Sequence, residues 1–267
     1  MVAMKSTNQS RRTTAYDVRG LAEPDAEAPN SAIVTGDAAE LDAEPLTTRQ
    51  VNLELRRLIY GEGITEVTLR NPGAKHSLAV GLLIRCRIRI EGSLGYFGCG
   101  LIDGPEIHIT GRVGWAVAEN MMAGVVVIDK NAGSLTGAAL RGGDLVIRGQ
   151  VGARTGIDQK GGTIIVGGTA GANTGFMMQR GRQIICGNAG HGLGDSMYDG
   201  AIYVGGTVAS LGVDCVEAEM GPDDEEMINR KFGIYGMDRP DSFRKFVCGK
   251  KLWNYDNLEP HERKLVL

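Results

Sequence analysis

Apolar side chains recur every nineteen residues through the middle of the chain. Ile88, Ile107, Val126, Leu145, Ile164 and Ile202 occupy one phase, and Ile90, Ile109, Ile128, Ile147, Val166, Ile185 and Val204 stand two residues later. A spacing of two puts both columns on one face of a short strand, and that face is expected to be the interior. Val113, Ala132, Val151, Ala170, Ala189 and Val208 form a small-residue column suited to a narrow corner, while Ile102, Met121, Leu140, Met178 and Met197 supply larger filling for the opposite wall. Polar positions keep the same register. Asn131, Gln150, Thr169, Asn188 and Thr207 fall one above another, as do Thr136, Thr155 and Thr174, and both sets are expected to face outward as hydrogen-bonding ladders.

Glycine punctuates the repeat. One column holds Gly92, Gly111, Gly149, Gly168, Gly187 and Gly206, a second Gly95, Gly114, Gly133, Gly152, Gly171 and Gly190, and a third Gly137, Gly156, Gly175 and Gly194. Corners that need positive φ account for such columns, because glycine alone enters that region without steric cost. A period of this size marks stacked repeats that bury their apolar faces only against one another. It leaves no room for a ten-residue helix between strands, so the sequence predicts an all-β single-stranded parallel β-helix. Breaks in the pattern are few: Lys130 replaces the first glycine, Cys99, Ala118 and Val213 replace the third, and Gln183 interrupts an inward column, where a local register shift is expected.

The flanks divide the chain further. Residues 1–46 are polar and acidic, with too few large apolar side chains to offset the entropy of ordering, and are expected to form a disordered tail. Thr47-Thr48-Arg49-Gln50 has the form of a capping box, with Val51, Leu55, Leu58 and Ile59 at helical spacing, so 47–66 reads as a helical cap. The β-helix is expected over 67–220. Residues 221–267 read as C-terminal helices and a docking tail, with one helix opening at Pro222 and a second over Pro240–Cys248 closed by Gly249.

Net charge is −3 and no basic stripe stands out in the repeat, which gives no reason to expect a nucleic-acid or membrane partner. Five cysteines without a Cys-x-x-Cys pair read as reduced thiols of a cytoplasmic protein. Chemistry is sparse. Gly187 to Gly194 superficially resembles a phosphate loop, but these glycines belong to the repeat columns. Asp195 and Asp214 are nineteen apart and are expected about 4.8 Å from each other on adjacent turns. Such a pair suits a polysaccharide-cleaving β-helix, although the outward columns show no aromatic platform for sugars. His76, His108, His191 and His261 share no column, so neither a metal cluster nor a catalytic residue is assigned. His191, Asp195 and Trp253 are the candidate partner-contact residues, the first two for polar specificity and the third as an aromatic anchor.

The glycine columns over about 47–220 resemble the Gly-x-Gly-x-Gly domain at the C-terminus of the large glutamate synthase chain, and also the glycine-repeat subunit of formylmethanofuran dehydrogenase. The stretches Asn71-Pro72-Gly73-Ala74-Lys75-His76-Ser77, Ala118-Glu119-Asn120-Met121-Met122 and Ala209-Ser210-Leu211-Gly212-Val213-Asp214-Cys215 are similar to the separately encoded version in N-methylglutamate synthase. The resemblance implies a right-handed parallel β-helix without catalytic residues or cofactor of its own. It further implies a hetero-oligomeric oxidoreductase complex, in which this chain props a glutaminase-like amidotransferase subunit against a partner that binds FMN and an iron–sulfur cluster. The alternative it leaves open is a formylmethanofuran dehydrogenase-like or formyltransferase/hydrolase complex.

Overall fold

The computed structural model describes residues 30–250. The predicted repeat is its framework. β1 (Ile33–Thr35), β2 (Ala38–Asp42), β3 (Glu66–Arg70), β4 (Arg87–Glu91), β5 (Asp103–Ile109), β6 (Ala123–Ile128), β7 (Asp144–Ile147), β8 (Lys160–Val166), β9 (Arg180–Ile185) and β10 (Ala201–Val204) lie in sequence order across one sheet. From β2 to β10 every neighbour is parallel, each strand returning one rung further along the rod. Both aliphatic columns point inward as expected, Ile90, Ile109, Ile128 and Ile147 being wholly buried. The small-residue column forms a second, minimal ladder of single bridges, Leu94–Val113–Ala132 and Ala170–Ala189–Val208.

The wall between these ladders is a run of turns that alternates its backbone handedness. Three positions per turn have positive φ, such as Leu135 (62°), Gly137 (66°) and Ala139 (52°), and Arg154 (57°), Gly156 (61°) and Asp158 (54°) one rung on. The third glycine column therefore does supply positive φ. Apart from Gly92 (φ 141°), the first two columns serve another purpose: a Cβ on Gly111 would lie 2.2 Å from the Gly92 carbonyl oxygen, and one on Gly152 would lie 2.5 Å from the Ser134 nitrogen. They are glycine because successive rungs touch there, which corrects the expectation that all such corners need left-handed backbone.

Two further expectations change. Thr136, Thr155 and Thr174 are buried, not outward, and each hydroxyl donates to the carbonyl of the glycine three residues earlier (2.8, 3.0 and 2.9 Å). Gln183 keeps the regular register between Ile164 and Ile202, so the shift expected at Gln183 does not occur there, and the irregularity of this strand pair lies earlier, between Lys160 and Thr163. Its amide is buried and donates across the core to Gln159 Oε1 (3.0 Å), a residue of the opposite inward column that also lacks an apolar side chain. Two interior polar residues satisfy each other, except that Gln183 Oε1 has no partner.

The ends also differ. Residues 33–42 are ordered strands rather than tail: β2 pairs in parallel with β3 and inserts Ala39 and Leu41 into the core. Helix α1 (Thr48–Arg56), continued by a π turn over Arg57–Gly61, starts at the expected Thr47/Gln50 capping box and lies between β2 and β3, burying Val51, Leu55, Leu58 and Ile59. At the other end α2 (Pro222–Tyr235) opens at Pro222 and stops at Gly236 (φ 55°). The second helix is absent. Its place is taken by β12 (Arg244–Cys248), which runs antiparallel between β10 and β11 (Cys215–Ala218) and buries Phe246 opposite Ile202. The open edge of β10 demands a hydrogen-bonding partner, which a strand supplies and a helix does not.

The outer face of the sheet has two halves. Over β7–β10 it shows Val146, Ile165, Ile184 and Tyr203, and α2 covers them with Met227, Ile228 and Phe232. Lys231 holds the helix down through Asp144 (2.6 Å), while Tyr203 and Lys245 converge on Asp224 (2.6 and 2.7 Å). Over β3–β6 the same face carries the exposed ion pairs Glu66–Arg87–Glu106 and Asp129–Arg148, with His108 hydrogen-bonded between Arg89 and Asp129. Pairs of this kind contribute only tenths of a kcal/mol each.

Candidate partner interface

The ladder hydrogen bonds identify which residues share an outward column. Ser77 N–H bonds to the Tyr96 carbonyl, Phe97 to Trp115, Ala116 to Ser134, Leu135 to Ala153, Arg154 to Ala172 and Asn173 to His191. One column therefore reads His76, Tyr96, Trp115, Ser134, Ala153, Ala172, His191. The first step is twenty residues and the rest are nineteen, and that single inserted residue hid the alignment of the two histidines. His76 and His191 do share a column. Six steps of about 4.8 Å separate them by roughly 29 Å.

The first three members are stacked rings. His76 and Tyr96 have centroids 4.6 Å apart at 20°, and Tyr96 and Trp115 are 5.5 Å apart at 23°. Tyr96 N–H donates to His76 Nδ1 (2.8 Å), which fixes the imidazole at the head of the stack. The second glycine column makes room for the rings. A Cβ on Gly95 would lie 2.0 Å from His76 Nδ1, one on Gly114 2.7 Å from Tyr96 and one on Gly133 2.5 Å from Trp115. Even so, Tyr96 and Trp115 remain 51% and 54% exposed, and Leu101 and Met122 are exposed as well. An aromatic platform is thus present on the outside of the rod, contrary to the expectation from the columns.

Beyond Trp115 the edge narrows to Ser134, Ala153 and Ala172 and then reaches His191, which is exposed and stands 3.3 Å from Ser210 Oγ. Asp195 accepts a hydrogen bond from the Ser196 hydroxyl (2.7 Å). Asp195 and Asp214 do not face each other. Leu193 pairs with Leu211 and Ser196 N–H bonds to the Val213 carbonyl, so the last turn is one residue short and Asp214 stacks on Ser196. Asp214 is paired instead with Lys250 (2.7 Å). The acid–base arrangement expected of a retaining glycosidase is not formed by this pair. Trp253 lies outside the described residues.

The ring end of this edge has the aromatic enrichment found at protein interfaces, whereas the strip of Ser134, Ala153 and Ala172 is flat and adds none of that character. Among the described residues there is no His/Cys/Asp/Glu group arranged to hold a metal ion. No described helix is long and apolar enough to cross a membrane.

No family model matches the sequence. The chain is similar to Protein GlxC of Rhizobium meliloti (strain 1021), with 43% identity over 226 residues, covering 83% of this chain and 99% of the relative.

Proposed function

The chain belongs to the GlxC family, and from that premise we propose that it is a non-catalytic structural subunit of a glutamate synthase-like complex, either glutamate or N-methylglutamate synthase. In this reading the rod holds a glutaminase-like subunit and an FMN-binding subunit at fixed separation. FMN and the iron–sulfur cluster belong to the partner.

The observation that carries the proposal is the exposed ring stack of His76, Tyr96 and Trp115, aligned along one edge of a rigid solenoid with His191. Stacked aromatic residues are costly to leave in water and are common anchors of stable interfaces. A solenoid suits a spacer because its rungs are locked by a continuous ladder, so the distance between contacts at its two ends is fixed by rung number. Support also comes from the three sequence stretches similar to N-methylglutamate synthase.

Affinity purification of the native chain under low salt tests this reading. A yellow complex containing a flavoprotein and a glutaminase-like chain, forming glutamate or N-methylglutamate, is expected. Recovery with a molybdenum or tungsten enzyme or a formyltransferase, and without flavin, would move the chain to the formyl-transferring class.

A further inference from the structure

A second surface lies on the other margin of the turn wall, where each rung passes into its sheet strand. Here a fourth glycine column runs Gly104, Gly124, Gly143, Gly162, Gly181 and Gly200, all with positive φ between 69° and 105°. From Gly124 onward each is kept bare by the preceding rung: a Cβ on Gly143 would lie 2.4 Å from the Gly124 carbonyl oxygen, and one on Gly162 2.7 Å from that of Gly143. The consequence is a trough whose floor lacks side chains. Toward the C-terminal end it widens into an open cleft of about 720 Å3 that includes Gly162, Gly181 and Gly200.

Cations wall this cleft. Arg141 and Lys160 are one rung apart, and an irregularity between Lys160 and Thr163 of β8 pairs Lys160 with Arg180, twenty residues on, so that three basic side chains stand in line. The same irregularity concealed the stripe, since a strict period of nineteen puts Gln179 there. Arg182 and Lys245 stand on the strand side. The carboxylates that face them are Asp158 on Lys160 (2.8 Å), Asp224 on Lys245 (2.7 Å) and Asp199, which accepts the Gly200 N–H (2.7 Å). Five cations against three carboxylates leave a local excess of positive charge on a chain of net charge −3.

We propose that this cleft is a docking site for an extended acidic segment of a partner protein. It rests on the scaffold reading only for the identity of that partner. Charge complementarity selects the occupant, and shape supports it. The three aligned cations span about 10 Å along the rod, and an extended peptide presents a side chain to one face roughly every 6.8 Å, so two carboxylates match the stripe. A floor without side chains lets a backbone approach closely. A nucleic acid fits less well: over the same ~10 Å a single strand presents about three phosphates and a duplex about six, more than the excess of cations here offsets, whereas two carboxylates match it.

The test uses the full chain and a fluorescein-labelled deca-glutamate peptide. Binding that weakens as salt is raised is expected, with at least a tenfold loss in Arg141→Glu/Lys160→Glu/Arg180→Glu and in the milder Arg141→Gln/Lys160→Gln/Arg180→Gln. The charge-matched control Arg49→Glu/Arg112→Glu/Lys130→Glu and the ring variant Trp115→Ala should each bind within twofold of wild type. An equal loss in the control, displacement of the peptide by low-millimolar inorganic phosphate, or tighter binding of a ten-residue oligothymidylate than of the peptide would each overturn the proposal. In the native assembly, zero-length carbodiimide coupling should join Lys160 or Lys245 to a carboxylate of another chain. Coupling confined to carboxylates of this chain would also overturn it, whichever enzyme the assembly proves to be.

Discussion

Gly152 and Gly137 are the same amino acid kept for different reasons. At Gly152 a Cβ would meet backbone of the rung below, whereas Gly137 has φ 66° and a Cβ would meet only the tips of Ile164 and Leu145. Backbone cannot yield as a side chain can, so Gly152→Ala should destabilise by about 1–3 kcal/mol through overpacking. Ala139 sits at φ 52° without being glycine. Left-handed backbone costs a non-glycine residue about 1–2 kcal/mol, and glycine loses roughly 0.5–1 kcal/mol in chain entropy, so Ala139→Gly should be neutral or stabilising by up to about 1 kcal/mol. The urea midpoint should fall in Gly152→Ala and stay or rise in Ala139→Gly. The Gln159–Gln183 pair obeys a similar logic. Gln183→Leu alone strands Gln159 Oε1 in the core and should cost about 1–3 kcal/mol, while Gln159→Met/Gln183→Leu restores both apolar columns and should recover most of that loss. The thiols add a chemical check. Burial pushes Cys99 up to about 12 and Cys86 and Cys215 to about 11, so iodoacetamide at neutral pH should leave Cys99 unlabelled until denaturant is added.

Among the elements, the sheet strands were legible because each carries two inward aliphatic residues in a column repeated many times. The ends were not. β2 contributes only Ala39 and Leu41 to the core from an acidic stretch, and its strand conformation comes from pairing with β3. β12 likewise takes its form from the unpaired edge of β10, against a local Phe243/Phe246 spacing that suits a helix equally well. At the first end Glu54 is buried on α1 and accepts the N–H groups of Asn30, Ser31 and Ala32 as well as a two-pronged Arg57 contact. The Arg57 guanidinium, followed by these backbone donors, outweighs burial and holds the Glu54 carboxyl below its usual range. A carboxyl depressed in the folded state stabilises above its unfolded pKa and loses that contribution as pH falls through the folded value. Glu54→Gln should therefore lower the melting temperature at neutral pH, and its deficit against wild type should shrink as pH drops below about 4.3. A deficit independent of pH would mean that the charge of Glu54 contributes nothing.

At the scale of the whole molecule, a nineteen-residue register determines which distant residues become neighbours, and single insertions or deletions change the answer. Counting strictly by nineteen paired Asp195 with Asp214, separated His76 from His191 and left Arg180 out of the column of Arg141 and Lys160. One extra residue between His76 and Tyr96, an irregularity between Lys160 and Thr163 of β8 and a short last turn account for all three. The candidate surfaces were therefore less legible than the fold, since the fold depends on the average period and a surface column on its exceptions. The rod carries its ring stack on one margin of the turn wall and its cationic cleft on the other, and the two proposals give each margin a different partner. Native mass spectrometry of the assembly formed by wild type and by Tyr96→Ala/Trp115→Ala tests the bridging role most directly. Wild type is expected to give a complex with both a flavoprotein and a glutaminase-like chain, and the variant, folded by circular dichroism, to retain one of them and lose the other. Recovery of both partners joined to each other with this chain absent, or a variant that keeps both, would contradict the bridge through this edge.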